Sequence, residues 1–193
     1  MSNKKTKTIV RIINFSDFEK EEKLFREQHS KGWKLVSLSS FGTYTFEACE
    51  EEDVIYQADY ADMPNDEKDS YLQMFADFGW EYVCELNGFI YFRKPVANHT
   101  EDDLTIFSDK QSKLNMIKTL QKKKLLPLSA IFLLLIIPNI LRLHNQITEH
   151  AAYSSAGDYV LFWTYIVMFV LYICIIVYSL VRFGKMEKQL KEK

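Results

Sequence analysis

The fold is decided by a segment that occurs twice in the 193-residue chain, as His29-Ser-Lys-Gly-Trp-Lys-Leu-Val36 and as Ala76-Asp-Phe-Gly-Trp-Glu-Tyr-Val83. Its glycine, tryptophan and final valine return after 47 residues in each case. A second pair, Gly42-Thr-Tyr-Thr-Phe46 and Gly88-Phe-Ile-Tyr-Phe92, is offset by 46 residues, as if one hairpin were a residue shorter. A repeat of this length indicates two copies of one supersecondary unit.

Each copy has the pattern of a strand, a helix and then two strands, over residues 8–48 in the first copy and 53–95 in the second. In the first copy, Ser16-Asp-Phe-Glu19 has the form of a capping box at a helix start. Gly32 and Gly79 stand where a helix ends in a left-handed residue. The sequence therefore predicts an α+β domain, in which the duplicated β-α-β-β unit gives a mainly antiparallel six-stranded sheet with two helices on one face.

Each helix is expected to bury one face against this sheet. The predicted buried stripes are Phe18, Leu24 and Phe25 in the first helix, and Tyr71, Leu72, Phe75 and Phe78 in the second. The run Glu19–Lys23 is expected to face solvent, and Ile55 and Ile90 to lie on the outward face of the sheet. The many aromatic residues of the domain are interpreted as packing of the sheet. The alternative interpretation is an aromatic-lined ligand pocket or peptide groove.

Two uncharged runs in the second half have the length of transmembrane helices. Residues 125–141 reach roughly 25 Å at about 1.5 Å per residue. Residues 159–181 form a longer run, with Trp163 near one end, where an amphipathic ring favours the membrane interface. We therefore predict one transmembrane helix over residues 125–143 and another over residues 159–181.

The charges that flank these runs predict their orientation. Lys122, Lys123 and Lys124 precede the first run, and a basic tail, residues 182–193, follows the second. Because positive charge is retained on the cytoplasmic side, we expect a multi-pass protein of the cell membrane with both termini in the cytoplasm. The loop of residues 144–158 is then extracytoplasmic.

The remaining segments follow from these assignments. Residues 1–95 form the cytoplasmic α+β domain, and residues 96–124 form a linker and a basic juxtamembrane helix. That helix either lies on the membrane surface or extends the first transmembrane helix.

The two halves of the chain have opposite charge. Residues 1–109 contain 12 Lys and Arg against 22 Asp and Glu, whereas residues 110–193 contain 12 against 4. An acidic domain is poorly suited to phosphate contacts, which predicts no direct binding to nucleic acid. It is suited to a basic protein partner, and membrane lipid is the partner of the two apolar runs. The sequence leaves self-association into a homo-oligomer open.

No sequence motif indicates a particular reaction, and we predict no catalytic, cofactor-binding or metal-binding residues. Phosphate-binding glycine loops, zinc spacings and the Gly-x-Ser-x-Gly elbow are absent from the sequence. The one pairing that would supply a base and a nucleophile is His29 with Cys49 or Cys84. The two cysteines are interpreted instead as small residues that fill space in or beside strands.

Acidic residues cluster in two groups between and within the copies. The groups are Glu47, Glu50, Glu51, Glu52 and Asp53, and then Asp59, Asp62, Asp66, Glu67 and Asp69. A divalent-cation site is one interpretation, but the residue order of a calcium loop is missing. We favour solvated surface and charge at a helix start.

Four segments resemble the bacterial domain-of-unknown-function family 2812, DUF2812: Lys31-Gly-Trp-Lys-Leu-Val36, Asp53-Val-Ile-Tyr-Gln-Ala-Asp59, Gly79-Trp-Glu-Tyr-Val83 and Tyr91-Phe-Arg-Lys-Pro95. The likeness covers roughly residues 8–95. Members of that family commonly carry C-terminal transmembrane helices and are often encoded beside PadR-type transcriptional regulators. The resemblance implies a role in membrane-linked regulation or in an envelope-stress response, and it carries over no catalytic residue.

These features together predict a membrane-anchored, non-enzymatic cytoplasmic module for binding, sensing or regulation, with a basic cytosolic regulator as its partner. The first alternative is an accessory subunit that modulates a membrane transporter. The second is a membrane-bound enzyme that acts on an envelope precursor. This last alternative requires His29 within hydrogen-bond reach of Cys49 or Cys84.

Overall fold

The computed structural model describes residues 5–39, 42–61, 63–97, 100, 102–149 and 151–192. The chain divides into two compact units, Met1–Met116 and Ile117–Lys193. The elements of the first unit are β1 (Thr6–Val10), α1 (Phe18–His29), β2 (Trp33–Ser39), β3 (Thr43–Ala48), β4 (Val54–Tyr60), α2 (Asn65–Asp77), β5 (Glu81–Leu86), β6 (Phe89–Pro95) and the start of α3 (Lys110–Leu120). A π-helical turn, Gln121–Leu125, joins α3 to α4 (Leu126–Glu149), and α5 (Ala156–Glu192) follows.

The six strands form two three-stranded antiparallel sheets. Their strand orders are β1-β3-β2 and β4-β6-β5, so each β-α-β-β copy builds its own sheet. The α+β class is confirmed, but the prediction of one six-stranded sheet was wrong. The edge strands β2 and β5 lie side by side, yet the hydrogen-bonded ladders stay within each copy.

The two copies are equivalent in detail. Gly32 and Gly79 end the two helices with φ of 77° and 79°, and each of their amides donates to the carbonyl oxygen three residues earlier at 2.9 Å. The ladder of β2 with β3 shifts register at Val36, and that of β5 with β6 shifts at Val83. An offset of 47 residues therefore relates equivalent positions from the helix to the first strand of the hairpin.

The start of α1 differs from the predicted capping box. The side-chain Oδ1 of Asn14 accepts hydrogen bonds from the amide and the hydroxyl of Ser16, both at 3.0 Å. A 3₁₀ turn, Phe15–Asp17, then leads into α1. Ser16 is buried within this turn, so the cap lies two residues upstream of the predicted position.

Helix α1 contacts both sheets through Phe25, which is fully buried. The Phe25 ring lies 5.5 and 6.2 Å from the rings of Tyr44 and Phe46 in the first sheet. It lies 5.7 and 5.8 Å from the rings of Tyr56 and Tyr91 in the second sheet. The predicted buried stripe of α1 is confirmed, and the helix joins the two copies into one core.

Helix α2 packs on the other face of the second sheet. Successive side chains of β6 point to opposite faces of the second sheet. Phe89 and Tyr91 contact side chains of α1, whereas Ile90 and Phe92 form a buried cluster with Phe75 of α2. The prediction that both helices cover one face was therefore wrong. Ile90 is also not outward, as it is only 2% exposed. Helix α1 therefore contacts one face of the second sheet and α2 contacts the other.

The segment after β6 returns along the α2 side of the second sheet. Gln57 of β4 donates its Nε2 to the carbonyl oxygen of Leu104 at 3.0 Å, and its Oε1 accepts the amide of Ile106 at 2.7 Å. Lys94, which is 4% exposed, donates its Nζ to the carbonyl oxygen of Asp103 at 3.0 Å. The segment that precedes α3 is thus attached to the domain.

The second unit contains two long apolar helical segments. Phe132 of α4 stacks on Phe169 and Tyr172 of α5, with ring centroids 5.2 and 4.4 Å apart. Lys110–Glu149 is one continuous helix of 40 residues, and Ala156–Glu192 is a helix of 37 residues. Both are long and apolar enough to span a membrane, which supports membrane association. The orientation of the termini stays a prediction.

Replacing Phe25 by Ala should lower the free energy of unfolding of the detergent-solubilised chain by about 3–5 kcal/mol, because the truncation leaves a cavity among four rings. Phe78→Ala is the matched control. Phe78 is 70% exposed, so its truncation should change the free energy of unfolding by no more than about 0.5 kcal/mol. Guanidinium unfolding followed by tryptophan fluorescence measures both. Equal losses in the two variants would contradict the central position of Phe25.

Candidate functional site

Two carboxyl groups of α1 lie at the junction of the helix with the sheets, and Glu21 is the first. Its carboxyl oxygens accept hydrogen bonds from the hydroxyl of Tyr44 in the first sheet at 2.7 Å and from that of Tyr91 in the second at 2.5 Å. Burial raises the pKa of Glu21, and the two hydroxyl donors oppose that rise. Burial also raises the pKa of both tyrosines, so they keep the protons that they donate.

Glu22 is the second buried carboxyl. Its Oε1 accepts the backbone amide of Ala58 at 2.8 Å, which lies in β4, the outer strand of the second sheet. The side chain as a whole is half-buried, with its carboxyl at the buried end. Burial raises the pKa of Glu22 to about 8, although the Ala58 amide and the nearby Lys113 oppose the rise. The carboxyl therefore changes charge near neutral pH.

Lys113 connects α1 to the beginning of α3. Its Nζ lies 3.0 Å from Oε1 of Glu19 and 5.9 Å from the centre of the Phe107 ring. Its charge also acts on the carboxyl of Glu22. The first turns of the helix that continues into α4 are thus attached to α1 beside a group that titrates. The expectation that Glu19–Lys23 faces solvent as a whole was wrong for Glu21 and Glu22.

His29, at the other end of α1, is hydrogen bonded to Tyr56. The Nδ1 atom of His29 lies 2.8 Å from the Tyr56 hydroxyl oxygen, which also accepts the amide of Leu35 at 3.3 Å. The direction of the hydrogen bond between Nδ1 and the hydroxyl is set by the tautomer of the His29 ring. Burial lowers the pKa of His29, and Arg93 and Lys34 lower it further.

The pairing of His29 with a cysteine finds little support in this geometry. Among the described side chains, the His29 ring is hydrogen bonded to Tyr56 and to neither Cys49 nor Cys84. Burial raises the pKa of the Cys84 thiol to about 12. A thiol with that pKa supplies almost no thiolate at neutral pH, and the thiolate is the nucleophilic form.

Two of the acidic residues are engaged with a neighbouring cation and a neighbouring hydroxyl. Asp53 accepts two hydrogen bonds of 2.7 Å from Arg26, and Asp59 accepts one from Tyr71. Asp62 lies outside the described residues. Over the described parts of the chain, no three His, Cys, Asp or Glu side chains converge as a metal site would require.

An open groove of about 650 Å³ lies between α2 and the start of β5. It is lined by Asp69, Leu72, Gln73, Ala76, Gly79, Trp80, Glu81 and Tyr82. The predicted buried stripe of α2 is confirmed for Phe75 but was wrong for Phe78, which is 70% exposed. The sequence analysis missed this groove, although the repeat that relates α2 to α1 was a usable signal for it.

A family model described as "Protein of unknown function (DUF2812)" matches residues 17–129, which is more than half of the chain. The match begins at the 3₁₀ turn before α1 and ends within α4, so it includes Glu21, Glu22, Lys113 and the groove. It confirms the resemblance that the sequence motifs indicated. No significant match was found among curated proteins or among solved structures.

Replacing Glu22 by Gln should remove part of the pH dependence of stability. The folded chain holds this proton up to about pH 8, whereas an ordinary glutamate releases it near pH 4.5. Between these values the folded state binds the extra proton, so the free energy of unfolding falls as pH rises, by up to about 1.4 kcal/mol per pH unit. Gln keeps an acceptor for the Ala58 amide but has no proton to release.

Unfolding of the wild type and of Glu22→Gln across this pH range measures the effect. The wild type should lose stability relative to the variant as pH rises from about 5 to about 8. Glu51→Gln, at an exposed position, is the control and should keep the wild-type slope. Parallel curves for the wild type and Glu22→Gln would contradict the assignment.

Proposed function

We propose that this chain, which belongs to the family described as "Protein of unknown function (DUF2812)", is a membrane-anchored, non-enzymatic binding and sensory module whose α+β domain lies in the cytoplasm. The family match extends from α1 through the domain and into α4. It therefore treats the domain and the start of the first apolar helix as one unit. That extent supports a function to which both parts contribute.

The single observation that carries the proposal is the attachment of α3 to α1. Lys113 of α3 pairs with Glu19 of α1 at 3.0 Å, and Lys110–Glu149 is one continuous helix. A change in the position or charge of α1 therefore acts directly on the first turns of this helix.

Glu22 supplies a physical basis for two states of this attachment. When the carboxyl is charged, it attracts Lys113 but bears the cost of burial. When it is protonated, the attraction to Lys113 is lost and the burial cost is relieved. A partner or a cytoplasmic condition that favours one state biases the position of α3, as a two-state sensor requires.

The described chemistry of the domain favours binding over catalysis. The His29 ring is engaged with Tyr56, and burial raises the pKa of the Cys84 thiol. The acidic balance of residues 1–109 supports a basic cytosolic regulator as the partner. We extend this proposal to membrane-linked regulation of transcription or to an envelope-stress response, as the family resemblance implied.

The accessory-subunit alternative is favoured by one feature of α5. A groove of about 500 Å³ runs along one face of this helix and is lined by Tyr159, Val160, Trp163, Thr164, Val167 and Met168. A helix of another membrane protein would bury this face. The two functions differ in the partner, which is soluble and basic in one and integral to the membrane in the other.

The proposed orientation predicts the pattern of proteolysis. Protease added outside sealed, right-side-out cells should leave the first unit intact, because the lysines at positions 122–124 and the basic tail hold both termini inside. The same protease should digest the first unit in inverted vesicles. An immunoblot for an N-terminal tag is the readout, with a tag inserted in the loop of residues 144–158 as a control that is cleaved from outside. Loss of the N-terminal tag in intact cells would overturn the orientation.

The proposed partner predicts a salt-dependent association. The full chain in non-ionic detergent should retain a soluble basic protein at about 50 mM salt and release it at about 500 mM, because the higher ionic strength screens exposed charges. Mass spectrometry identifies what is retained, and an unrelated two-span protein with the same tag is the control. A salt-resistant integral membrane protein would favour the accessory-subunit alternative. Retention of neither class would contradict both functions.

A further inference from the structure

The two helices of the repeat differ in how completely they are covered. Helix α1 has the first sheet on one side and the second sheet on the other, whereas α2 has only the second sheet. Much of the remaining surface of α2 is exposed, including Met74 at 46%, and Phe78, which directly follows the helix, is 70% exposed. The following proposal deepens the proposed function, on which it rests, because it names a site at which the module binds its partner.

In α1, the surface equivalent to the exposed surface of α2 is covered by strand β4. Glu22 accepts the amide of Ala58 from this strand at 2.8 Å. Phe25 and His29 contact the ring of Tyr56 from the same strand, with ring centroids 5.7 and 5.8 Å apart. Arg26 of α1 also pairs with Asp53, which directly precedes β4. These four positions of α1 therefore form the surface that receives an extended strand.

The same four positions of α2 line the groove. Adding the offset of 47 residues to Glu22, Phe25, Arg26 and His29 gives Asp69, Leu72, Gln73 and Ala76. All four are among the residues that line the groove beside β5. The groove thus occupies the place where, in the first copy, a strand packs along the helix.

The residues at these positions indicate the size of the missing side chain. Leu72 stands in place of the Phe25 ring, and Ala76 in place of the His29 ring. The space beside α2 is therefore wider than the equivalent space beside α1. Tyr82 supplies an aromatic wall that is 39% exposed, whereas Trp80, also in the lining, is already buried. A large apolar or aromatic side chain fits against the exposed ring of Tyr82, and its binding would remove that ring from water.

The charge around the groove indicates a basic occupant. Helix α2 carries four carboxylates and one lysine, Lys68. Lys68 is already paired with Glu85 at 2.7 Å. The carboxylates are those of Asp66, Glu67, Asp69 and Asp77. Contact of α2 with α2 in a second copy would bring like charges together, which opposes association.

A second copy also lacks a suitable sheet to place on α2. The face of the second sheet that contacts α1 carries Ala58, Phe89 and Tyr91. By the registers of the two ladders, the first sheet has threonine at the three equivalent positions, which are Thr8, Thr43 and Thr45. Threonine hydroxyls would lose water without gaining an apolar contact. The occupant is therefore a different protein.

We propose that the groove between α2 and β5 binds an extended, basic segment of a partner protein. One large apolar side chain of the segment packs on Leu72 and Ala76. A backbone amide donates to the carboxylate of Asp69, as Ala58 donates to Glu22. Flanking lysines or arginines face the carboxylates of α2. Binding of a strand along a helix in this way repeats the contact that β4 makes with α1.

The probe for this site is a synthetic peptide based on Val54–Tyr60, the natural strand ligand of α1. Lysines replace Gln57 and Asp59 in the peptide and flank it, which gives Lys-Val-Ile-Tyr-Lys-Ala-Lys-Tyr-Lys. Fluorescence anisotropy of the labelled peptide against the full chain in non-ionic detergent should show saturable binding. A second peptide with serine in place of both tyrosines has the same charge and should bind at least about tenfold more weakly.

Two variants of the chain locate the binding. Asp69→Lys should weaken peptide binding by about tenfold or more, and Ala76→Trp should abolish it by filling the groove. Both positions are exposed on α2, and circular dichroism checks that each variant is folded. Glu51→Lys makes the same change in charge at an exposed position outside the groove. This matched control should change the affinity by less than about twofold.

The outcomes separate this proposal from the proposed function. Absence of binding, equal binding of the serine peptide, or equal losses in Asp69→Lys and Glu51→Lys would overturn the groove proposal. If a folded Asp69→Lys chain then still retained a soluble basic protein at low salt, the binding function would stand and its site would lie elsewhere. Loss of that protein together with the peptide in Asp69→Lys supports both.

Discussion

The burial of Phe25 between aromatic rings of two sheets is the contact on which the rest of the first unit depends. It requires α1 to be covered on two sides, and the second β-α-β-β copy supplies the second cover. Because β4 then runs beside the helix, its outward amide at Ala58 needs an acceptor, and Glu22 provides one. The titrating carboxyl is thus a consequence of the packing, since the position that satisfies the strand also removes the carboxyl from water.

The repeat and the two apolar helices could be predicted from the sequence because each is a local pattern. The arrangement of the sheets could not, because pairing between copies depends on contacts distant in sequence. One signal was available and was not used. The strand Thr43-Tyr-Thr-Phe46 alternates polar and apolar residues, as a sheet with one buried face should, whereas Phe89-Ile-Tyr-Phe92 is apolar throughout. A continuous apolar run indicates burial on both faces, and β6 has a helix on each.

The candidate site was hidden for a related reason. An amphipathic helix has one apolar face and one charged face, and the run Glu19–Lys23 has the composition of the charged face. This interpretation assumes that only one side of the helix is covered. Once a second sheet approaches α1, some of these charges must be buried, and hydroxyl and amide donors satisfy Glu21 and Glu22. The groove beside α2 is recognised only when the two helices are compared position by position, because a strand covers these positions in α1 and no strand of the described residues covers them in α2.

The threonine-bearing outer face of the first sheet has a consequence for colloidal behaviour. A molecule with an exposed helix face and an exposed sheet face could grow by head-to-tail contacts, because each added molecule would offer the next one a fresh helix. Growth of that kind, head to tail without closure, produces fibres. Threonine hydroxyls on the outer face of the first sheet do not match the proposed binding surface of α2, so that surface would not template polymerisation of the chain.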